Sequence, residues 1–275
     1  MPSKKQLRSA KKLTNIKKQK GKYPELLDNI IESSDIVLEI LDARFMEETR
    51  NLEIEKLIIK QKKQIIYVLN KSDLIDKAKT NQNLLKEIKP YIFVSATNRV
   101  GGKQLRDKIK ELTKSIKPLD KQRFSIGVIG YPNTGKSSII NLLIGKKSAK
   151  TGSVAGFTKG LQKLKLTRDI VLIDSPGVIP REEYSNTDVS KIIHHTMVGA
   201  RDSNKVKDPE LIIAQLAKTY QKQFEEFYNV EITDSEDLIE QVGRNKNILK
   251  KGGEVNGDQV ARKIIKDWQE GKIKL

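Results

Sequence analysis

Gly130-Tyr131-Pro132-Asn133-Thr134-Gly135-Lys136-Ser137 follows the short apolar run of residues 124–129 and opens a stretch, residues 136–143, that reads as a helix. Strand, glycine-bounded turn and helix start together are the context in which the pattern GxxxxGK[ST] binds phosphate. The glycines let backbone N–H groups point inward, where they and the helix N-terminus attract a β-phosphate. Lys136 is expected to reach the β- and γ-phosphates and the Ser137 hydroxyl to ligate Mg²⁺, with Asn133, Thr134, Gly135 and Ser138 completing the cradle. The plain alternative is a glycine-rich turn that matches by chance, and the flanking strand and helix weigh against it.

A second strand-like run, residues 64–69, lies upstream and ends at Asn70-Lys71-Ser72-Asp73. A carboxylate at Asp73 can accept from guanine N1–H and the 2-amino group, donors that adenine lacks on that edge. Leaving it unpaired would cost about several kcal/mol, so the pattern reads as a guanine selector. Lys71 is expected to lay its stem over the phosphate loop and the base. Residues 91–94 form a third strand ending at Ser95-Ala96-Thr97, where the N–H near Ala96 is expected to donate to guanine O6. Standing alone, Asn70-Lys71-Ser72-Asp73 would read as a helix-entry turn. Beyond the phosphate loop, residues 169–173 make a fourth strand, followed by Asp174-Ser175-Pro176-Gly177. Asp174 is expected to hold Mg²⁺ through water and the Gly177 N–H to meet the γ-phosphate. Between the phosphate loop and this fourth strand runs Ala155-Gly156-Phe157-Thr158-Lys159-Gly160, a polar segment whose flanking glycines suit a loop that reorganises. Thr158 is read as its Mg²⁺-ligating threonine, with Thr151 as competitor and a ligand-free surface loop as the plain reading.

The base-reading motifs thus precede the phosphate motifs, the reverse of a Ras-like domain. The order Asn-Lys-x-Asp, Ser-Ala, phosphate loop, Gly-x-Thr, Asp-x-Pro-Gly resembles the circularly permuted GTPases of the YlqF/RbgA-like ribosome-assembly family. Asp42-Ala43-Arg44 after an apolar run, and Gly130-Tyr131-Pro132-Asn133, agree with that family. Phe45-Met46 and Ala155 stand where it usually carries proline. The resemblance implies an α/β fold: a permuted P-loop domain with a mostly parallel sheet covered by helices on both faces, then a smaller all-helical domain. It implies GTP/GDP and Mg²⁺ as ligands, GTP hydrolysis, and action on the large ribosomal subunit or its precursor through rRNA. By likeness to cation-dependent GTPases, Asn133 is a candidate for holding K⁺, against a plain role in bonding the loop backbone. With Lys136, Thr158 and Gly177 it makes up the expected catalytic set. Val178 occupies the place of the glutamine that orients water, so intrinsic hydrolysis is expected to be slow.

The 275 residues carry a formal net charge of +18 and no cysteine. Absence of cysteine excludes a disulfide framework and suits a reducing cytosol, so the expected location is cytoplasmic. No apolar run approaches the roughly 18 residues of a membrane span. Residues 1–22 hold nine Lys or Arg and no acid, whereas residues 179–275 hold 16 basic and 17 acidic residues. The basic run reads as an RNA-binding arm making backbone contacts, or as a solvated tail. The expected organisation is a basic tail over 1–22, the permuted domain over 23–180, and a helical domain over 181–275. Helices are expected over 23–33, 209–227 and 258–270, with a capping box at residues 233–236 opening another. Lys246, Lys250, Lys251, Arg262, Lys263, Lys266, Lys272 and Lys274 offer the last domain a second RNA surface, or are scattered solvated charges. His194 and His195 read as helix residues rather than catalytic bases. A GTP-gated RNA-binding module with incidental hydrolysis is the alternative function.

Overall fold

A computed structural model describes residues 27–116, 123–145, 162–177, 179, 185 and 187–275. Residues 27–33 are helical. There follow β1 (Ile36–Asp42), α1 (Met46–Thr49), α2 (Leu52–Lys60), β2 (Gln64–Asn70), α3 (Gln82–Glu87), β3 (Tyr91–Phe93), α4 (Gly102–Ser115), β4 (Phe124–Ile129) and α5 (Lys136–Ile144). Then come β5 (Gln162–Lys165), β6 (Ile170–Asp174) and four further helices: α6 (Val189–Met197), α7 (Pro209–Tyr228), α8 (Ser235–Asn245) and α9 (Gly257–Gln269). The six strands form one sheet in the order β3-β2-β1-β4-β6-β5, parallel except for β5. The antiparallel edge strand β5 is absent from the sequence reading, because its alternating half-buried and exposed residues carry little apolar signal.

Strand alternation decides which face each residue serves. Ile36, Leu38 and Ile40 of β1 pack with Leu105 and Ile109 of α4 and Ile139, Ile140 and Leu143 of α5. Val37 packs on the other face with Ile30, Ile31 and Ile58, and Leu41 with Leu84, Leu85 and Ile88. Central strands buried on both faces explain the continuous apolar runs. The base-reading half (β1–β3) and the phosphate half (β4–β6) meet where β1 pairs with β4, from Ile36 opposite Ile126 to Glu39 opposite Ile129.

The expected helices form with small shifts. α7 bends at Tyr220, whose φ of −126° leaves the helical region. The cap of α8 is Asp234, whose carboxylate accepts from the N–H groups of Glu236 and Asp237, one residue beyond the box expected from Thr233. α9 ends before Gly271 at φ +74°. One apolar cluster joins α7, α8 and α9 to Phe45 and Tyr131, so residues from the loop after β1 and from the phosphate loop help build the core of the helical segment. No described helix is long and apolar enough to cross a membrane.

Candidate nucleotide-binding site

All the described strand-terminal motifs converge at one end of the parallel sheet. The phosphate loop depends on backbone that side chains rarely adopt: φ is +144° at Gly130, +61° at Asn133 and +97° at Gly135. A Cβ at Gly130 would lie 2.4 Å from the Ile40 carbonyl oxygen, and one at Gly135 would lie 2.2 Å from Asn70 Nδ2. Only glycine permits either approach. Gly135 caps α5 without a side-chain bond, and a helix N-terminus at this place favours an anion. Lys136 is buried in the loop, donating to the carbonyls of Tyr131 at 2.6 Å and Gly130 at 3.0 Å. Burial holds its ammonium down to about 8, with Asp174 opposing.

Asn70 binds the two halves together. Its Nδ2 donates to the Thr134 carbonyl at 2.8 Å, and its Oδ1 accepts from the Ala96 N–H at 3.2 Å. The donor expected to meet guanine O6 therefore already serves Asn70, and a base oxygen there would share it. Ser95 is buried, its hydroxyl accepting from the Asn98 N–H at 3.0 Å. Asp73 sits on the turn after Lys71, and both line a cleft of about 390 Å³ together with Ala96, Thr97, Asn133, Gly135 and Ser138.

The phosphate side brings Ser137 and Asp174 into contact, the hydroxyl donating to Oδ2 at 3.2 Å. The other carboxylate oxygen, Oδ1, is buried with no hydrogen-bond partner among the described residues. A buried, half-satisfied carboxylate beside a hydroxyl is a hard oxygen donor set that suits Mg²⁺. Burial pushes the Asp174 carboxyl up, against Lys136 and Ser137. Gly177 packs on the phosphate loop so closely that a Cβ would lie 2.5 Å from Pro132 Cα and 3.0 Å from Lys136 Nζ. Thr158, Thr151 and Val178 lie outside the described residues.

One feature had no assigned role in the sequence. Asp42, buried at the end of β1 directly opposite Asn70, accepts from Lys71 Nζ at 2.7 Å and from Arg44 through both oxygens. Burial alone would raise that carboxyl, but the two cations hold it well below the usual carboxylate range. The signal was the Asp42-Ala43-Arg44 sequence itself, placed one strand away from Asn70. Asn133, expected in the phosphate cradle and as a candidate for holding K⁺, donates from Nδ2 to the Gly199 carbonyl at 2.8 Å. The backbone-bonding reading of this residue thus gains a partner in the helical segment; a cation would use the amide oxygen instead. His195 is buried within α6.

Comparison with known proteins agrees with this architecture. The family described as "50S ribosome-binding GTPase" matches residues 125–242. The uncharacterized GTP-binding protein MJ1464 of Methanocaldococcus jannaschii is 39% identical over 259 residues, covering 90% of this chain and 65% of that one. Crystalline GNP-bound YlqF from T. maritima superposes with a TM-score of 0.62 over 92% of this chain and 95% of that one, at 23% identity, a likeness of fold. The chain has the circularly permuted P-loop GTPase fold of YlqF. GTPase grn1 of Schizosaccharomyces pombe is 30% identical, over 91% of this chain and 60% of its own. The permuted GTPase spans about two thirds or less of the length of these curated relatives.

Proposed function

We propose that this permuted GTPase binds guanine nucleotides with Mg²⁺ and hydrolyses GTP slowly by itself. We further propose that a ribosomal particle stimulates it, in a role in large-subunit assembly through rRNA contact. The observation that carries the nucleotide reading is the pair of bridges around one loop: Asn70 joins Thr134 to Ala96, while Ser137 meets Asp174, whose second oxygen is buried without a partner among the described residues. Asp73 would select the base, Lys136 neutralise the β- and γ-phosphates, and the Gly177 N–H contact the γ-phosphate. Mg²⁺, held by Ser137, Asp174 and Thr158, would supply charge neutralisation between the phosphates. K⁺ beside Asn133 would substitute for an arginine finger, and Val178 in place of a water-orienting glutamine is the basis for a slow intrinsic rate.

The ribosomal role is supported by the "50S ribosome-binding" family and by the basic balance of the chain. The second basic surface is smaller than its residue count suggests. Arg262 pairs with Asp258, Lys263 and Lys272 with Asp267, and Lys266 approaches Glu270, while Lys246, Lys250 and Lys251 are exposed. The boundaries 1–22, 23–180 and 181–275 are retained as the working division of the chain. Phosphate release with and without large ribosomal subunits, in K⁺ and in Na⁺, tests the whole reading. The expected result is stimulation of at least tenfold by subunits. Turnover indifferent to ribosomal particles, with GTP-dependent RNA binding intact, would favour the RNA-binding module instead.

A further inference from the structure

The cleft at the base-reading loops has a wall that no nucleotide motif supplies. Asp202, Asn204, Lys266 and Glu270, all from the helical segment, line it together with Asp73 and Thr97. Lys136, Ser137, Asp174 and Gly177 do not line it, so it corresponds to the nucleoside end of the site, where GDP and GTP are identical. Three tethers seat this wall on the nucleotide loops. Asn133 of the phosphate loop donates to Gly199 at 2.8 Å. Arg44, clamped to the same Asp42 that holds Lys71, donates to the Trp268 carbonyl at 2.9 Å. The Leu275 N–H donates to the Leu74 carbonyl at 3.1 Å, and Gly271 approaches Leu74 so closely that a Cβ would lie 2.4 Å from its Cδ1.

We propose that residues 202–204 and the end of α9 form the nucleoside wall of the guanine-nucleotide site, with the Glu270 carboxylate accepting from a ribose hydroxyl. Glu270 is suited to this: it stands at the cleft, partly exposed, with Lys272 at 2.8 Å and Lys266 at 3.9 Å orienting its carboxylate. Seating of the helical segment and binding of the nucleoside then become one coupled equilibrium. The segment senses whether guanosine is present, independently of the γ-phosphate. Trp268 sits two residues before Glu270, its ring 5.9 Å from Phe45, and its own carbonyl is one of the tethers. It should therefore respond to GDP and not only to GTP.

The proposal rests on the cleft being a guanine-nucleotide site, and the experiment separates the two. On the full chain, GDP and a non-hydrolysable GTP analogue are titrated by calorimetry while Trp268 emission and amide exchange over residues 196–205 and 264–275 are followed. Both nucleotides should shift Trp268 equally and slow exchange in both segments. Glu270→Ala should weaken both ligands by the same factor, about tenfold. Glu270→Gln, which keeps an acceptor, should recover most of the loss. GDP lacking the 2′- or 3′-hydroxyl should bind the natural protein about tenfold more weakly and Glu270→Ala no worse than GDP does. GDP binding without a response at Trp268 or in either segment overturns the wall, as does an equal deoxy-GDP penalty in Glu270→Ala. No GDP binding at all overturns the nucleotide reading beneath it.

Discussion

At the scale of single residues, the site turns on charges held out of water. With Asp73 as the proposed base selector, the cost of stranding its carboxylate would set the discrimination. GTP should bind at least about a thousandfold more tightly than ATP, and Asp73→Asn should turn preference toward xanthine nucleotides, both read by calorimetry. Lys136 offers a pH test. Its ammonium is held down to about 8, whereas a bound phosphate would keep it protonated to higher pH. GDP affinity should therefore be flat below about pH 8. Above that it should fall by up to about tenfold per unit, until the complex itself deprotonates. Gly177 is less specific to the γ-phosphate than its place in the motif implies. A methyl there meets the Pro132 backbone, so Gly177→Ala should weaken GDP and GTP analogue together.

Among the elements, β1 carries the most tension. Its alternation places Glu39, between Val37 and Leu41, on a face that is otherwise apolar. One oxygen accepts from the Asn51 N–H at 2.9 Å; Glu55 lies beside it, already holding Arg50 and the Tyr67 hydroxyl. Burial first, and then the neighbouring Glu55 charge, push the Glu39 carboxyl well above its ordinary range. The neutral form is the one the fold accommodates. Its stabilisation is fully present below the unfolded carboxyl value of about 4.3 and is lost as pH rises through the raised folded value, by up to about 1.4 kcal/mol per unit. Glu39→Gln keeps the shape and the bond to Asn51. It should flatten the dependence of Tm on pH and leave the protein at least as stable above pH 7. A Tm profile parallel to that of the natural chain would show that Glu39 is ionised in the fold.

At the scale of the whole molecule, the helical segment closes on the loop after β1 and on the phosphate loop, through Phe45, Tyr131 and the tethers at Gly199, Trp268 and Leu275. A connection running only through Gly177 and its successors, as the chain order suggests, omits these contacts. The basic tail belongs to the same scale although it lies outside the described residues. Removing residues 1–22 should weaken RNA or ribosome binding and lower the slope of log K against log salt by about one for each phosphate no longer neutralised. GTP affinity should barely change. An unaltered slope after truncation would identify the tail as a solubility device.

The sequence by itself determined the apolar parallel strands and the motifs at their termini, which support the guanine-nucleotide reading. Each nucleotide motif is a local constraint: an αL glycine, a strand end or a carboxylate carries its chemistry within a few residues, and motif order alone revealed the permutation. Even there the signal failed where locality failed. β5 lacks an apolar face, and the α8 cap shifted from Thr233 to Asp234 because two acceptors compete one residue apart. Only the tertiary structure decided that Asp42 and Arg44 link Lys71 to the end of α9, that Asn133 holds Gly199, and that Glu270 shares a cleft with Asp73. These pairs lie far apart along the chain, and no local pattern encodes their meeting. They are brought together because one apolar cluster buries Phe45, Tyr131 and Trp268 in common, and that burial is non-directional.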